Sequence, residues 1–461
     1  MAGIETTATF DRATQEFVIN TPTISAIKFW PGDMSRLSNH AVVFAKLMID
    51  GKAYGVHSFM VQTRNLETWD LLPGIEAGDI GPKFGYNSKD NGFMLFKNVR
   101  IPRSNMLKRF AEVDKDGKII LKGDMRQLYG IMLETRVWIA GMAGFSLSMA
   151  FTIAGRYSVV RRQFSTMQGT RLERKLLDYQ THMFKFAPLL AYSFAFNSAA
   201  QHLFTQHAAL ISELKENKYD RLDILHHLTA GYKAVFSRIT YEGIDACRQA
   251  CGGAGFSAHS GLPSLQVDYA PNTTYEGDNT VMLHQAARLI MKTWKHIHVK
   301  KSTTKVTQPL FGYFYEVDGL TGAKSDIKTS DDALNLESLE RALKVRSLFK
   351  IKKTMELLLK AEADGIPESE RNNSLYSVDL VSMAQTHILF LVFKLFRQWV
   401  ESPGIKCNGI RKNMMNLLKL FALTELQSGD TAANYENGYF TPGTQGVLLE
   451  ASKRLMKDIR P

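Results

Sequence analysis

The stretch TTYEGDNTVMLHQAA runs from Thr273 to Ala287. It places one carboxylate, Glu276, between an aromatic residue and a glycine. Two good helix-cap residues follow, Asp278 and Asn279, and then an apolar pattern of helical period. A carboxylate at the mouth of a helix feels the helix dipole, which favours its ionised form. Tyr275 and the apolar face behind it exclude water, which works against ionisation. That balance suits a general base. The same segment also reads as an ordinary helix start, with Asp278 the more natural cap.

Outward from this stretch, the pattern is helical over 127–165, 172–213, 221–251 and 280–297. The breaks fall at STMQGT, KENKYD and the glycine-rich CGGAGFSAHSGLPS. Long helices with short connections predict an antiparallel bundle. Upstream the period is that of strands. Two β-rich runs meet near Asp50-Gly51, a strong hairpin signal, and Gly- and Pro-punctuated short strands continue to Pro102. Downstream, a polar stretch precedes further helices at 335–363, 377–400, 409–427 and 444–457. The predicted fold class is α+β multidomain, a small β-barrel-like domain followed by two mainly α-helical bundle domains. The expected division is 1–118, 119–300, a linker at 301–333, and 334–461.

The chain has 461 residues, 45% hydrophobic and 22% charged, the profile of a soluble globular protein of several domains. Three cysteines exclude a disulfide scaffold and fit a reducing compartment. Cys247 and Cys251 have no second Cys/His pair nearby, so no metal site is expected. The net charge of +12 attracts polyanions, including a phosphorylated cofactor. Its densest basic run, Trp294–Lys305, carries no nucleic-acid signature, and no nucleic-acid partner is expected. Val137–Gly155 is uncharged and long enough to span a membrane. Its Gly, Ala and Ser content, among other long helices, reads instead as a fully buried core helix. The opening MAGIETTATF has neither a basic region nor an apolar core, so no signal peptide is expected.

Three further motifs carry chemistry of their own. In QACGGAGF (Gln249–Phe256), three glycines are more than a helix cap needs, and they let backbone amides approach a phosphate. In RYSVVRRQF (Arg156–Phe164), paired arginines and an aromatic could hold a diphosphate and stack on an adenine, or simply end a solvated helix. In KFWPGD (Lys28–Asp33), a tryptophan before Pro-Gly could cover a flat ring or fill a core beside a turn.

Taken in this order, these motifs resemble the acyl-CoA oxidase family, within the wider acyl-CoA dehydrogenase superfamily. The resemblance is carried by KFWPGDMSRLSNHAVVFAKL, GDIGPKFGYNSKDNGFMLFKNVRIPRSNML, RYSVVRRQF, CRQACGGAGFSAHSGLP and TTYEGDNTVMLHQAARLIMK, with LYSVDLVSMAQTHI extending it into the second helical domain. It implies FAD, a fatty acyl-CoA substrate and α,β-desaturation. Glu276 matches the catalytic base that takes the Cα proton as the Cβ hydrogen leaves as hydride to the flavin. The reduced flavin would then pass its electrons to O₂, giving hydrogen peroxide. Gly277 would let the backbone approach the thioester oxygen, and Arg136 would support substrate or the glutamate. Gly32 matches a flavin-contacting glycine. Arg161 and Phe164 match residues that reach the diphosphate and adenine from a neighbouring subunit, and Gln249, Gly252 and Gly253 match a segment on the same dinucleotide. Asp278 and Thr280 match contacts to the adenosine half. A homodimer is implied, or a partner chain that covers the face where relatives carry a further helical domain.

Two departures from the family pattern bear on function. The N-terminal helical domain of relatives, which walls the active site, would precede Met1. The expected peroxisome-targeting tripeptide is not found in Asp458-Ile459-Arg460-Pro461. A smaller departure is Ala254, where relatives often place a histidine. Two readings therefore stand: a peroxisomal acyl-CoA oxidase, or a non-catalytic homologue acting as a structural or assembly subunit, in mitochondria or elsewhere.

Overall fold

The computed structural model describes residues 3–122, 127–301, 306 and 309–460. Part of the expected linker and the final Pro461 lie outside these residues. The chain forms two compact units, residues 1–129 and 130–461.

Alternating burial runs along the strands of the first unit. β1 (Thr7–Asp11) and β2 (Glu16–Asn20) turn every second side chain inward. The others are β3 (Lys28–Gly32), β4 (His40–Ile49), β5 (Lys52–Gln62), β6 (Ile75–Asp79), β7 (Asn91–Phe96), β8 (Val99–Pro102), β9 (Ala111–Val113) and β10 (Ile119–Leu121). Asp50 and Gly51 join β4 to β5 with φ of +50° and +74°, the backbone of the expected two-residue hairpin. The main sheet runs β5-β4-β1-β2-β8, and a second runs β3-β7-β6. Both enclose Phe17, Phe59, Met94 and Phe96. The unit is β-rich as expected, but its sheets do not close into a barrel. β5 and β8 are the two edges of the main sheet and do not pair with each other.

The second unit is helical. Its helices of eight or more residues are α1 (Gln127–Val160), α2 (Gln180–Lys215), α3 (Leu222–Ala250), α4 (Leu262–Tyr269), α5 (Asn279–Trp294), α6 (Leu336–Ala363), α7 (Ser377–Glu401), α8 (Asn408–Gln427) and α9 (Thr444–Ile459). One continuous apolar cluster runs through all of them. The Phe196 and Phe236 rings stack at 4.0 Å, and Tyr232 stacks on Phe236 at 4.8 Å, fixing α3 against α2. Cys247 and Cys251 are buried in this cluster, and burial pushes the Cys247 thiol up to about 12.

Two expectations are corrected here. The first long helix stops at Val160, not at 165. Residues 162–166 instead form strand β11, which pairs with β12 (Glu173–Lys175), and this delays the start of α2 to Gln180. The expected fully buried helix at Val137–Gly155 is buried on one side only. Trp138, Met142, Phe145 and Met149 are 43–56% exposed and fall at alternating spacings of four and three, one continuous stripe. An all-apolar run gives no periodic contrast from which to read such a face. Among the described residues, Leu133–Val160 and Ser377–Glu401 are long and apolar enough to cross a membrane, and the second is mostly buried in the bundle.

Candidate active site

Asp278 caps α5, its carboxylate accepting the Thr280 amide at 2.9 Å. The chain enters this cap through a tight turn. Asn272 donates to the Tyr269 carbonyl at 2.8 Å and accepts from the Tyr275 hydroxyl at 2.8 Å. The Tyr275 amide closes on the Pro271 carbonyl at 2.9 Å. Glu276 and Gly277 then take φ of +57° and +108°. For a glutamate this is a strained backbone, of the kind that concentrates at functional sites. Gly277 has a second constraint: a Cβ there would lie 2.5 Å from the Met282 methyl. The Glu276 side chain is half-buried, and its amide has no hydrogen-bond partner among the described residues.

Two buried cations hold the carbonyls of this turn. Arg136 of α1, 6% exposed, donates from Nε to the Glu276 carbonyl at 2.9 Å. Burial lowers its pKa, and the Glu276 charge opposes that shift. Lys233 of α3 is fully buried and donates from Nζ to the Gly277 carbonyl at 2.6 Å and to Asn279 Oδ1 at 2.9 Å. Asn279 donates in turn to Ser237 Oγ at 3.0 Å. Burial pushes Lys233 down to about 8. Asp278 and Glu276 act to raise it, and Arg136 to lower it. Glu276, Gly277, Asp278 and Arg136 are thus brought together. Lys233, Ser237 and Asn279 belong to the same cluster and were not anticipated. The available signal was a lone lysine inside the apolar run TAGYKAVF (Thr229–Phe236).

The glycine-rich end of α3 forms a second feature. Asp245 gathers Arg248 at 2.7 Å, Gln249 at 2.6 Å and Gln266 of α4 at 3.0 Å. Burial works to raise the Asp245 pKa, but these donors outweigh it and hold the carboxyl below its usual range. Gln249 is therefore tied to the helix end and still exposed. Gly252 has φ +57° and ψ −137°, a conformation that suits glycine. A Cβ on Gly252 or Gly253 would meet nothing within 4 Å, whereas one on Gly255 would lie 1.9 Å from the Arg248 carbonyl. Two of the three glycines thus face open space, and the third packs.

Arg161 and Phe164 lie at the start of the β11–β12 hairpin, both exposed. Phe164 is 75% exposed at φ +64°. The Tyr179 hydroxyl fixes this segment, donating to the Gln163 carbonyl at 2.7 Å and lying 3.1 Å from the Ser165 amide. An exposed aromatic, an exposed guanidinium and an open glycine edge suit a dinucleotide's ring and diphosphate. Among the described residues these positions make no hydrogen bond to the Glu276 turn. Thr280 is exposed on the first turn of α5. Gly32 belongs to the first unit, at the end of β3, where a Cβ would press on the Lys89 side chain at 2.8 Å. The neighbouring Trp30 is 58% exposed with φ +85°, so it is not a core tryptophan.

Comparison with known proteins bears on this arrangement. A family model described as "Acyl-CoA oxidase, C-alpha1 domain" matches residues 129–291, and one described as "Acyl-CoA oxidase" matches residues 335–461. A peroxisomal acyl-coenzyme A oxidase 1 from Phascolarctos cinereus is 37% identical over 466 residues, covering 100% of this chain and 69% of its own. The solved structure of Arabidopsis thaliana acyl-CoA oxidase 1 superposes with a TM-score of 0.94 at 36% identity, covering 100% of this chain and 69% of that one. A Caenorhabditis elegans acyl-CoA oxidase-1, solved in complex with FAD and ATP, matches with a TM-score of 0.88 at 33% identity, covering 100% and 66%. The chain therefore spans about two thirds of the length of these relatives.

Proposed function

We propose a function from one premise: this chain belongs to the acyl-CoA oxidase family. The reaction is desaturation of a fatty acyl-CoA between Cα and Cβ, with O₂ reduced to hydrogen peroxide and trans-2-enoyl-CoA released. The observation that carries this reading is the strained turn at Glu276, held from behind by two buried cations.

FAD, when bound, supplies the hydride acceptor for Cβ and the route of the electrons to O₂. The chain's own residues supply the rest. Glu276 takes the Cα proton. The Glu276 amide, without a hydrogen-bond partner among the described residues, is available to the thioester oxygen as negative charge develops there, and Gly277 lets the backbone come close. Arg136 keeps the Glu276 carbonyl turned away from the substrate. Arg161 and Phe164 would grip the diphosphate and adenine of a dinucleotide shared with a second copy. The open edge at Gln249, Gly252 and Gly253 would receive the same group, with Asp278 and Thr280 on its adenosine half and Gly32 against the flavin. This division of labour makes the working unit a homodimer. The domain limits 1–118, 119–300 and 334–461 belong to the same proposal, and so does residence in the peroxisome, by relation to the peroxisomal oxidases it resembles.

The test is peroxide release from octanoyl- and palmitoyl-CoA by the FAD-reconstituted chain. Glu276→Gln should reduce it by about 10³-fold or more while flavin binding persists. Undiminished release from that variant would remove Glu276 from the reaction.

A further inference from the structure

We propose that Lys233 is a positioning residue for this reaction: from behind the turn its ammonium holds the Gly277 carbonyl and so aims the Glu276 carboxylate and the neighbouring amides. The inference rests on Glu276 being the base. Lys233 donates to Gly277 O at 2.6 Å, while Arg136 donates to the preceding carbonyl, Glu276 O, at 2.9 Å. In a planar trans peptide, N–H points opposite to C=O. Two successive carbonyls drawn towards buried cations therefore turn the amides of Gly277 and Asp278 the other way.

The turn needs such a hold, because Glu276 and Gly277 both lie at positive φ. Charge-assisted bonds are stronger than neutral ones and suit the task. The placement of Lys233 is also hard to explain by stability. Among the described residues it has no carboxylate within ion-pair distance, and its acceptors are a backbone carbonyl and the Asn279 amide. An ammonium fully removed from water without a paired anion costs the fold. Its ligands all belong to the turn or to the residue that begins α5.

Lys233→Met and Lys233→Arg test this in the full chain reconstituted with FAD, beside Glu276→Gln. Hydrogen–deuterium exchange of the peptide over 273–280 reads the turn without any turnover. In Lys233→Met, these amides should exchange about tenfold faster or more, with other peptides unchanged. The melting temperature should hold or rise, kcat should fall about 100-fold, and KM should stay within about threefold. Lys233→Arg should recover both turn protection and kcat in part. Wild-type exchange and kcat in Lys233→Met would overturn the proposal. So would a kcat loss that follows a fall in melting temperature and is not eased by arginine. If the wild-type chain releases no peroxide, the functional reading fails by itself, and the exchange data still decide whether Lys233 holds the turn.

Discussion

Among the described residues the helical unit buries three cations, Arg136, Lys233 and Arg346, and the last two are treated differently. Arg346 of α6 is 1% exposed and meets a carboxylate. Its Nη2 lies 3.2 Å from Glu425 Oε2 and its Nη1 donates to the Glu425 carbonyl at 2.5 Å, while the Tyr192 hydroxyl takes Glu425 Oε1 at 2.6 Å. Lys233 has no such anion and spends its donors on a backbone turn. The first arrangement neutralises a charge locally and clamps α2, α6 and α8 together. The second leaves a charge with no ion-pair partner among the described residues, eased only through space by the Asp278 and Glu276 carboxylates. A buried charge with its own counter-ion reads as architecture. One without a counter-ion, aimed at a turn, reads as function.

The contrast can be broken by mutation. Arg346→Met leaves Glu425 buried and unpaired, and should cost about 3–5 kcal/mol of stability, read as a drop in denaturant midpoint. Catalytic constants of the fraction still folded should be near wild type. A stability loss in Lys233→Met as large as in Arg346→Met would erase the distinction drawn here.

Acid should strike the same architectural side. His227 bonds the Ala286 carbonyl at 2.8 Å, and burial pushes its pKa down to about 4. His387, bonded to Tyr313 at 2.6 Å, is also held well below its ordinary range, by burial first and by His227 second. Between pH 6.5 and about 4 the unfolded chain binds the His227 proton and the folded chain does not. Stability from this site is therefore complete above pH 6.5 and is lost as pH falls through that window, by about 3 kcal/mol. Denaturant titrations at pH 7 and pH 4.5 measure it, and His227→Gln should flatten the slope.

A finer division falls within one loop. Gly255→Ala drives a Cβ into the Arg248 carbonyl and should cost about 1–3 kcal/mol. Gly253→Ala meets open space and should change stability by no more than about 0.5 kcal/mol. Its effect should appear instead as weaker FAD uptake in a fluorescence titration. Equal behaviour of the two variants would mean that the open edge is not a binding surface.

Much of this was legible in the chain, for identifiable reasons. The Asp50-Gly51 hairpin, the Asp278 cap and the long helices follow from local rules that tertiary contacts did not override. Glu276 stands out as a candidate because carboxylate, glycine and cap are contiguous in sequence, and its role as base comes from the resemblance. Arg136 came from the resemblance alone, since its 140-residue separation from Glu276 leaves no local trace. Lys233 was missed for the same reason, since its 44-residue separation from Gly277 leaves no local trace. The hairpin under Arg161 and Phe164 was read as helix because RYSVVRRQF continues the preceding pattern. Its turn is set instead by Gly169 at φ +75° and by the distant Tyr179 hydroxyl. The exposed stripe on α1 was hidden because apolar residues occupy both of its faces.

The most direct test of the central claim leaves oxygen out. The FAD-reconstituted chain is mixed anaerobically with octanoyl-CoA while the visible flavin absorbance is followed. Bleaching in the wild-type chain, with none on the same timescale in Glu276→Gln, is the predicted result. Equal bleaching in both, or none in a wild-type chain that has taken up FAD, would contradict the assignment of Glu276 as the base of an acyl-CoA oxidase.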